Sequence, residues 1–312
     1  MAEQRVIFAL FPGCETLDVA GPLQTFHEAN RCGAHYRIVV AGTSRDVGTA
    51  QTLGFSRLTA LPSVGEGDLV VVPGFDIRQS KSPRELRTWL RRNAASGADF
   101  CGVCTGAFAF GEAAMLDGRR CTTHWKRIGE LARRFPRARV VDDTLFVTDG
   151  PITTSAGAAS GIDIALWYVE RHYGPLVAAR TAREMVVHTR REGSHAQQSF
   201  YLNYRAHLNS AVHRVQDFII GHPSEKVRLP DLAKLAGMSA RSMTRAFRLS
   251  TGVSIAEYRQ HMRLENAKML LREPGVSIDR IAAQVGFEDP RQLRRLWRQR
   301  FGAPPSKARA RK

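Results

Sequence analysis

No stretch of the 312 residues approaches the roughly 20 consecutive apolar positions that a membrane-spanning helix requires. The opening Met1-Ala2-Glu3-Gln4-Arg5 leads into a strand pattern and lacks the apolar core of a signal peptide, so the expected location is the cytoplasm. Cysteine is scarce and odd in number: Cys14, Cys32, Cys101, Cys104 and Cys121 have no framework spacing, which argues against a disulfide scaffold. Cys101 and Cys104 form a Cys-x-x-Cys, but no second Cys/His pair stands at ligand spacing, so neither a metal nor a cofactor is expected. Low-complexity segments are absent as well. Acidic residues are few, 29 against 46 Lys and Arg, for a formal net charge of +17.

That imbalance is concentrated at one end. The last hundred residues carry 21 basic and 9 acidic side chains, whereas the preceding 212 carry 25 and 20. A basic module joined to a near-neutral one suggests that only one end meets a polyanion.

The basic end contains the only internal repeat. Ala233 is followed four residues later by Gly237, and Ala282 by Gly286; each glycine precedes a segment rich in arginine. A small residue where two helices touch, a glycine for a left-handed turn, then a second helix: this is the pattern of a helix-turn-helix. The motifs are expected at about 229–250 and 277–301, with a single helix over 254–273 between them as a spacer. Tyr258, Met262, Leu264, Ala267, Leu270 and Leu271 lie on or near its apolar stripe. This arrangement resembles the AraC/XylS family of transcription regulators, including the closing Gly286-Phe287 and Phe301-Gly302-Ala303-Pro304-Pro305. The resemblance places Arg241, Thr244 and Arg245 at base-facing positions of the first recognition helix, and Pro290, Arg291, Gln292 and Arg295 in the second. Pro290 has no side-chain donor and is read as a helix start. Arg248, Arg294, Arg298 and Arg300 are read as phosphate contacts, which add affinity without sequence information. A solvated helix face is the plain alternative for any one of these arginines.

The first two-thirds alternates strand and helix. Apolar strands are expected near 6–11, 36–41, 68–72, 99–103, 139–141, 145–148 and 152–154, with helices near 17–30, 82–95, 107–115 and 157–173. Strands without polar alternation, separated by helices, indicate a parallel sheet covered on both faces. Within it, Gly102-Val103-Cys104-Thr105-Gly106 fits a nucleophile elbow in strand-turn-helix context. The following helix N-terminus is expected to lower the Cys104 pKa and favour its thiolate, which would also open Cys104 to signalling by oxidation.

The elbow resembles that of the class I glutamine amidotransferase-like superfamily, in the branch of PfpI-type peptidases and isocyanide hydratase. Phe11-Pro12-Gly13-Cys14-Glu15-Thr16-Leu17-Asp18, Val72-Pro73-Gly74-Phe75, Thr122-Thr123-His124-Trp125 and Thr154-Ser155-Ala156-Gly157 carry the likeness across most of residues 5–175. It implies a flavodoxin-like α/β sandwich, an acid (Asp18) beside Cys104, and a family histidine (His124) near the pocket. Backbone N–H groups after Pro73-Gly74 and at Thr105 are candidates for an oxyanion hole.

The combination resembles the GlxA-type regulators. Domains are therefore expected at 1–190 (ligand sensing and dimerisation), 191–212 (linker) and 213–312 (an all-α DNA-binding module). The implied function is a DNA-binding transcription regulator, with activation favoured. Its implied partners are double-stranded DNA, a small-molecule effector held by Asp18, Gly74, Cys104, Thr105 and His124, RNA polymerase, and a second copy of the chain. The rival from another class is a cysteine-dependent hydrolase or hydratase tethered to DNA, with Cys104, Asp18 and His124 as its machinery. An architectural DNA-binding protein whose first domain only dimerises is the third option.

Overall fold

Strands that are apolar on both faces need cover on both, and the computed structural model supplies it. It describes residues 4–157, 159–187, 191, 193, 197, 204–271 and 275–306. These divide into two compact units, Met1–Gln197 and Gln198–Lys312. The expected linker at 191–212 differs from this division at both ends. Arg191 is bonded to the buried Asp163 at 2.6 Å, and Gln197 donates to Thr123 O at 2.9 Å, so both side with the first unit. At the other end a helix already begins at Ser210. Most of the polar stretch 190–198, the end of the expected spacer at 272–273 and the basic tail 307–312 lie outside the described residues.

In the first unit, β1 (Gln4–Leu10), β2 (Tyr36–Gly42), β5 (Thr59–Ala60), β6 (Leu69–Val72), β7 (Asp99–Gly102), β10 (Phe146–Asp149) and β11 (Ile152–Ser155) form one seven-stranded sheet in the order β10-β11-β7-β6-β1-β2-β5. All neighbouring pairs are parallel except β10 with β11, a hairpin at the edge. The short pairs β3 (Val47–Gly48) with β4 (Gly54–Phe55) and β8 (Arg120–Cys121) with β9 (Arg139–Val140) stand outside that sheet. Two-residue strands carry too little periodicity to be legible in sequence. The helices are α1 (Thr16–Arg31), α2 (Arg84–Asn93), α3 (Gly106–Glu112), α4 (Ile128–Arg134) and α5 (Ser160–Glu184). α5 is broken at Gly174 (φ +85), directly before Pro175. α3 stops three residues earlier than the expected 107–115, because the chain turns at Ala114 (φ +60). The core runs through Val6, Phe8, Leu10, Val70, Val72, Phe100, Phe108 and Tyr168, all fully or almost fully buried. Its strand ends deliver the functional loops at one edge, where ligands of open α/β sheets bind.

The second unit is helical: α6 (Ser210–Gly221), α7 (Leu229–Ala236), α8 (Ala240–Thr251), α9 (Ile255–Leu270), α10 (Ile278–Gln284) and α11 (Pro290–Phe301). α7–α8 and α10–α11 are the two helix-turn-helix pairs. α9 is the spacer, started by a reciprocal capping box: Glu257 N donates to Ser254 Oγ, and Ser254 N to the Glu257 carboxylate. Its Tyr258 and Met262 belong to the core under the first pair, while Leu264, Ala267 and the adjacent Leu271 belong to the core under the second. One helix thus contributes to both small cores.

Candidate functional site

The elbow forms where β7 ends. Cys104 sits at φ +56, a left-handed backbone that a side chain other than glycine adopts only under constraint, at a cost on the order of 1–3 kcal/mol. The constraint comes from close packing on both sides. A Cβ on Gly106 would lie 2.3 Å from Val72 O, and one on Gly102 2.9 Å from the Phe110 ring. Thr123 Oγ1 donates to Cys104 O at 2.8 Å, tying the turn to the strand end before His124.

The opening loop is drawn against the elbow by backbone bonds. Glu15 N donates to Gly74 O, and Gly13 N to Gly48 O, both at 2.8 Å. This places Asp18, in the first turn of α1 and fully buried, next to the loop after β6. Gly74 N donates to Asp18 Oδ2 at 2.8 Å, whereas Oδ1 is buried with no described partner. A Cβ on Gly74 would stand 2.5 Å from that Oδ2 and 2.7 Å from Thr105 Oγ1. The glycine is a space requirement here. Thr105 Oγ1 accepts from Phe75 N and donates to Phe75 O, each at 2.8 Å.

A cleft of about 1020 Å³ opens over these groups. Its walls are the opening loop and first turn of α1 (Gly13 to Ala20), the 50–53 loop, the 75–80 loop, the elbow, and His124 with Lys126 and Arg127. Asp18, Cys104, Thr105 and His124 are therefore brought together, as the resemblance implied. Gly74 is not in the lining and acts from behind, as the donor that holds Asp18. Residues that the sequence did not single out are Glu15, Gln51, Arg78, Lys126 and Arg127. Lys126 and Arg127 directly follow the quoted Thr122–Trp125 stretch, so extending that match by two residues would have found them. Gln51 and Arg78 come from loops without a pattern. Arg78 is paired with Asp76 and Arg127 with Glu130, while Lys126 lies over the Trp125 ring.

Two chemical expectations are corrected. The Cys104 pKa is raised, to about 12, first by burial and then by the nearby Asp18 charge. The lowering from the Thr105 backbone and side-chain hydrogen bonds is smaller, and α3, only seven residues long, supplies little dipole. The side chain touches the cleft, yet its surroundings are deep enough for desolvation to prevail. Cys104 is thus a thiol, and the premise of a low-pKa cysteine poised for oxidation fails. Half of the expected oxyanion hole is occupied as well: the Gly74 and Phe75 N–H groups are spent on Asp18 and Thr105, whereas the Thr105 N–H lies beside the Cys104 sulfur. Asp18 itself is pushed up to about 7, chiefly by burial, against the opposing Gly74 hydrogen bond. His124 is lowered by burial and by Lys126 and Arg127, so its imidazole is neutral near pH 7. Its Nδ1 accepts from Lys126 N, and among the described residues no hydrogen bond joins it to Cys104. Cys101 is buried and is not part of the cleft lining.

The second site is the face of α8 and α11. Ser239 caps α8 and Asp289 caps α11, each accepting a backbone N–H. Each helix buries its fourth and eighth residues, Met243 and Phe247 or Leu293 and Trp297, and this turns the second, sixth and ninth outward. Arg241, Thr244, Arg245 and Arg248 are exposed on α8; Arg291, Gln292, Arg295 and Arg298 on α11. The guanidiniums of Arg241, Arg245, Arg248, Arg291, Arg295 and Arg298 bond to no described residue. Two arginines expected on phosphates are instead engaged within the chain: Arg294 with Asp279 at 2.7 Å and Arg300 with Glu265 at 3.8 Å. The Thr244 hydroxyl donates to Ala240 O, which leaves its methyl and an acceptor lone pair outward. Pro290 starts its helix, as expected.

The sequence model of the DJ-1/PfpI family matches residues 4–171, and that of a helix-turn-helix domain matches residues 232–311. The HTH-type transcriptional regulator CdhR of Pseudomonas aeruginosa is 29% identical over 97% of this chain and 90% of its own length. The HTH-type transcriptional regulator GlxA of Rhizobium meliloti is 29% identical over 99% of the chain and 96% of its own. Isonitrile hydratase of Pseudomonas putida is 28% identical over 54% of the chain and 72% of the enzyme. Among solved structures, an AraC family transcriptional regulator from Pseudomonas putida superposes with TM-score 0.52 at 24% identity, over 58% of this chain and 99% of that one. At that identity the likeness speaks for the fold of the first unit alone. Residues 4–171, with the elbow and the cleft, belong to the DJ-1/PfpI family, and the chain continues from them into a helix-turn-helix domain.

Proposed function

We propose that the protein is a sequence-specific DNA-binding transcription regulator whose first unit binds a small-molecule effector in the Asp18–Cys104 cleft. The observation that carries this reading is the pairing, in one chain, of two arginine-bearing recognition helices with unspent guanidiniums and a cleft floored by a carboxyl group with one free oxygen. Regulators named as such match nearly the whole chain, which supports reading the two parts as one device. In the complex, α8 and α11 enter successive major grooves, Arg241, Thr244, Arg245, Arg291, Gln292 and Arg295 face bases, and Arg248 and Arg298 face phosphates. Dimerisation through the first unit places two such modules on repeated half-sites, where each raises the effective concentration of the other. An activator acting on RNA polymerase completes the proposal. The effector offers Asp18 Oδ1 a hydrogen-bond partner, a donor to the carboxylate or an acceptor to the protonated acid, because a buried polar atom without one costs free energy that a ligand recovers.

Coupling is the experiment. Candidate metabolites are titrated against the full-length protein, first by thermal shift and then on operator DNA. A ligand at 100 times its Kd adds about 2.7 kcal/mol of stability. Binding that leaves DNA affinity and transcription unchanged would falsify the sensor reading.

The strained elbow and a carboxyl group half-protonated near pH 7 favour a second reading, a hydratase-like activity at Cys104. The raised thiol pKa, the spent N–H donors and the separate His124 count against it. Cys104→Ala separates the two: loss of turnover of a supplied isonitrile identifies an enzyme, and loss of promoter response without any turnover identifies a sensor.

A further inference from the structure

The two recognition helices are copies in register. Counted from their caps, Ser239 and Asp289, each has arginine at its second, sixth and ninth residues: Arg241, Arg245 and Arg248 in α8, Arg291, Arg295 and Arg298 in α11. The buried fourth and eighth residues fix the same rotation of each helix on its core, so the three arginines leave at the same angles. The guanidiniums of all six bond to no described residue. They are available.

Over the first two turns the helices differ at two exposed positions. At the third residue α8 has Ser242, whose hydroxyl accepts from Ser239 Oγ at 2.9 Å and belongs to the cap, whereas α11 has Gln292, exposed and with a side chain that bonds to no described residue. At the fifth, α8 has Thr244, and α11 has Arg294, held by Asp279. Arginine forks onto the O6/N7 edge of guanine, and glutamine onto the N6/N7 edge of adenine. Equal residues at equal helical positions ask for equal bases; the unequal third residue asks for a difference.

We infer that the site read by one module consists of two guanine-bearing elements one helical turn apart, alike in the guanines facing Arg241/Arg245 and Arg291/Arg295, with an additional adenine, read by Gln292, only in the element under α11. This rests on the DNA-binding reading above and goes beyond it by stating the composition of the site.

Selection from random duplex DNA with the full-length protein tests it. The expected product has two guanine-bearing elements with centres about 10–10.5 base pairs apart, one of them with the extra adenine. Selection is then repeated with Arg245→Ala, Arg295→Ala and Gln292→Ala, exposed positions whose folding is checked by circular dichroism. Each arginine variant should lose the guanine preference of its own element and weaken binding to the selected duplex roughly 5- to 160-fold. Gln292→Ala should lose only the adenine. A selected site with guanines in one element alone, or base preferences that survive both arginine substitutions, overturns the inference while leaving sequence-specific binding in place. No enriched sequence at all overturns both.

Discussion

Around the Asp18–Cys104 elbow polar groups are hidden and mostly satisfied from within, whereas along α8 and α11 six arginines are exposed and bond through their side chains to no described residue. The cleft holds one acid raised toward neutrality, one thiol raised far above its ordinary range and backbone donors already committed. The recognition helices hold six guanidiniums that bond to no described residue. The difference teaches where each activity is stored. In the cleft it is in protonation state and in space, so that a single added atom is felt; on the helices it is in charge and register, so that single changes alter binding but not folding.

The sharpest way to break that contrast is to add a methyl group in each region. Gly106→Ala drives a Cβ to 2.3 Å from Val72 O inside the elbow and is expected to cost more than about 3 kcal/mol, read as loss of the first unit's thermal transition. Gly237→Ala, in the turn of the first helix-turn-helix, meets nothing within 4 Å and retains only its φ of +68 as a penalty, about 1 kcal/mol. Equal costs in the two would end the comparison.

Protonation gives the next effect. Asp18 titrates at an ordinary carboxylate value when unfolded and at about 7 when folded, so its neutral form is the one that the fold prefers. Its contribution is complete below pH about 4, declines as pH rises through about 7, and stays lost above that. Asp18→Asn keeps an acceptor for Gly74 N and removes the titration. It should leave stability at pH 4 nearly unchanged and raise it at pH 8 by on the order of 2–4 kcal/mol, read from denaturant midpoints. Cys104 follows from the same burial: iodoacetamide should modify it at pH 8 far more slowly than a free thiol, and faster in Asp18→Asn, where the neighbouring charge is gone. Rapid alkylation of the unaltered protein would contradict the raised pKa.

Smallest is the phosphate effect. Arg248→Ala should weaken all duplexes alike and lower the slope of log K against log salt by about 1. A changed base preference would move Arg248 to the base-reading set.

Sequence and structure agree where pattern is local. The elbow, both helix-turn-helix pairs and the outward arginines were legible, because 3.6-residue periodicity, caps and glycine turns leave marks at short range, whereas Asp18 was expected near the elbow only through the family resemblance. What was not legible depends on distance in space. The sign of the Cys104 shift is set by how much protein surrounds the elbow, which no run of neighbours encodes. Arg294 and Arg300 look like phosphate ligands until Asp279 and Glu265, 15 and 35 residues away, claim them. The occupied donors at Gly74 and Phe75 depend on Asp18 and Thr105 arriving from other elements.

The second motif's turn carries a further consequence. Gly286 (φ +90) is wedged where a Cβ would lie 2.7 Å from Ser224 Cα, in the turn between α6 and α7, and Lys226 pairs with Glu288 at 2.6 Å beside it. Arg263 of α9 bonds Pro223 O at 2.9 Å and lies against the Phe287 ring. The two reading heads are thus clamped together as well as joined by a spacer, and the module behaves as a fixed calliper. Inserting one base pair between the two DNA elements advances the second by about 3.4 Å and turns it about 34–36° out of phase. A flexible reader would tolerate that insertion, but a calliper is expected to keep one element and drop the other, which makes helical phase part of the proposed recognition.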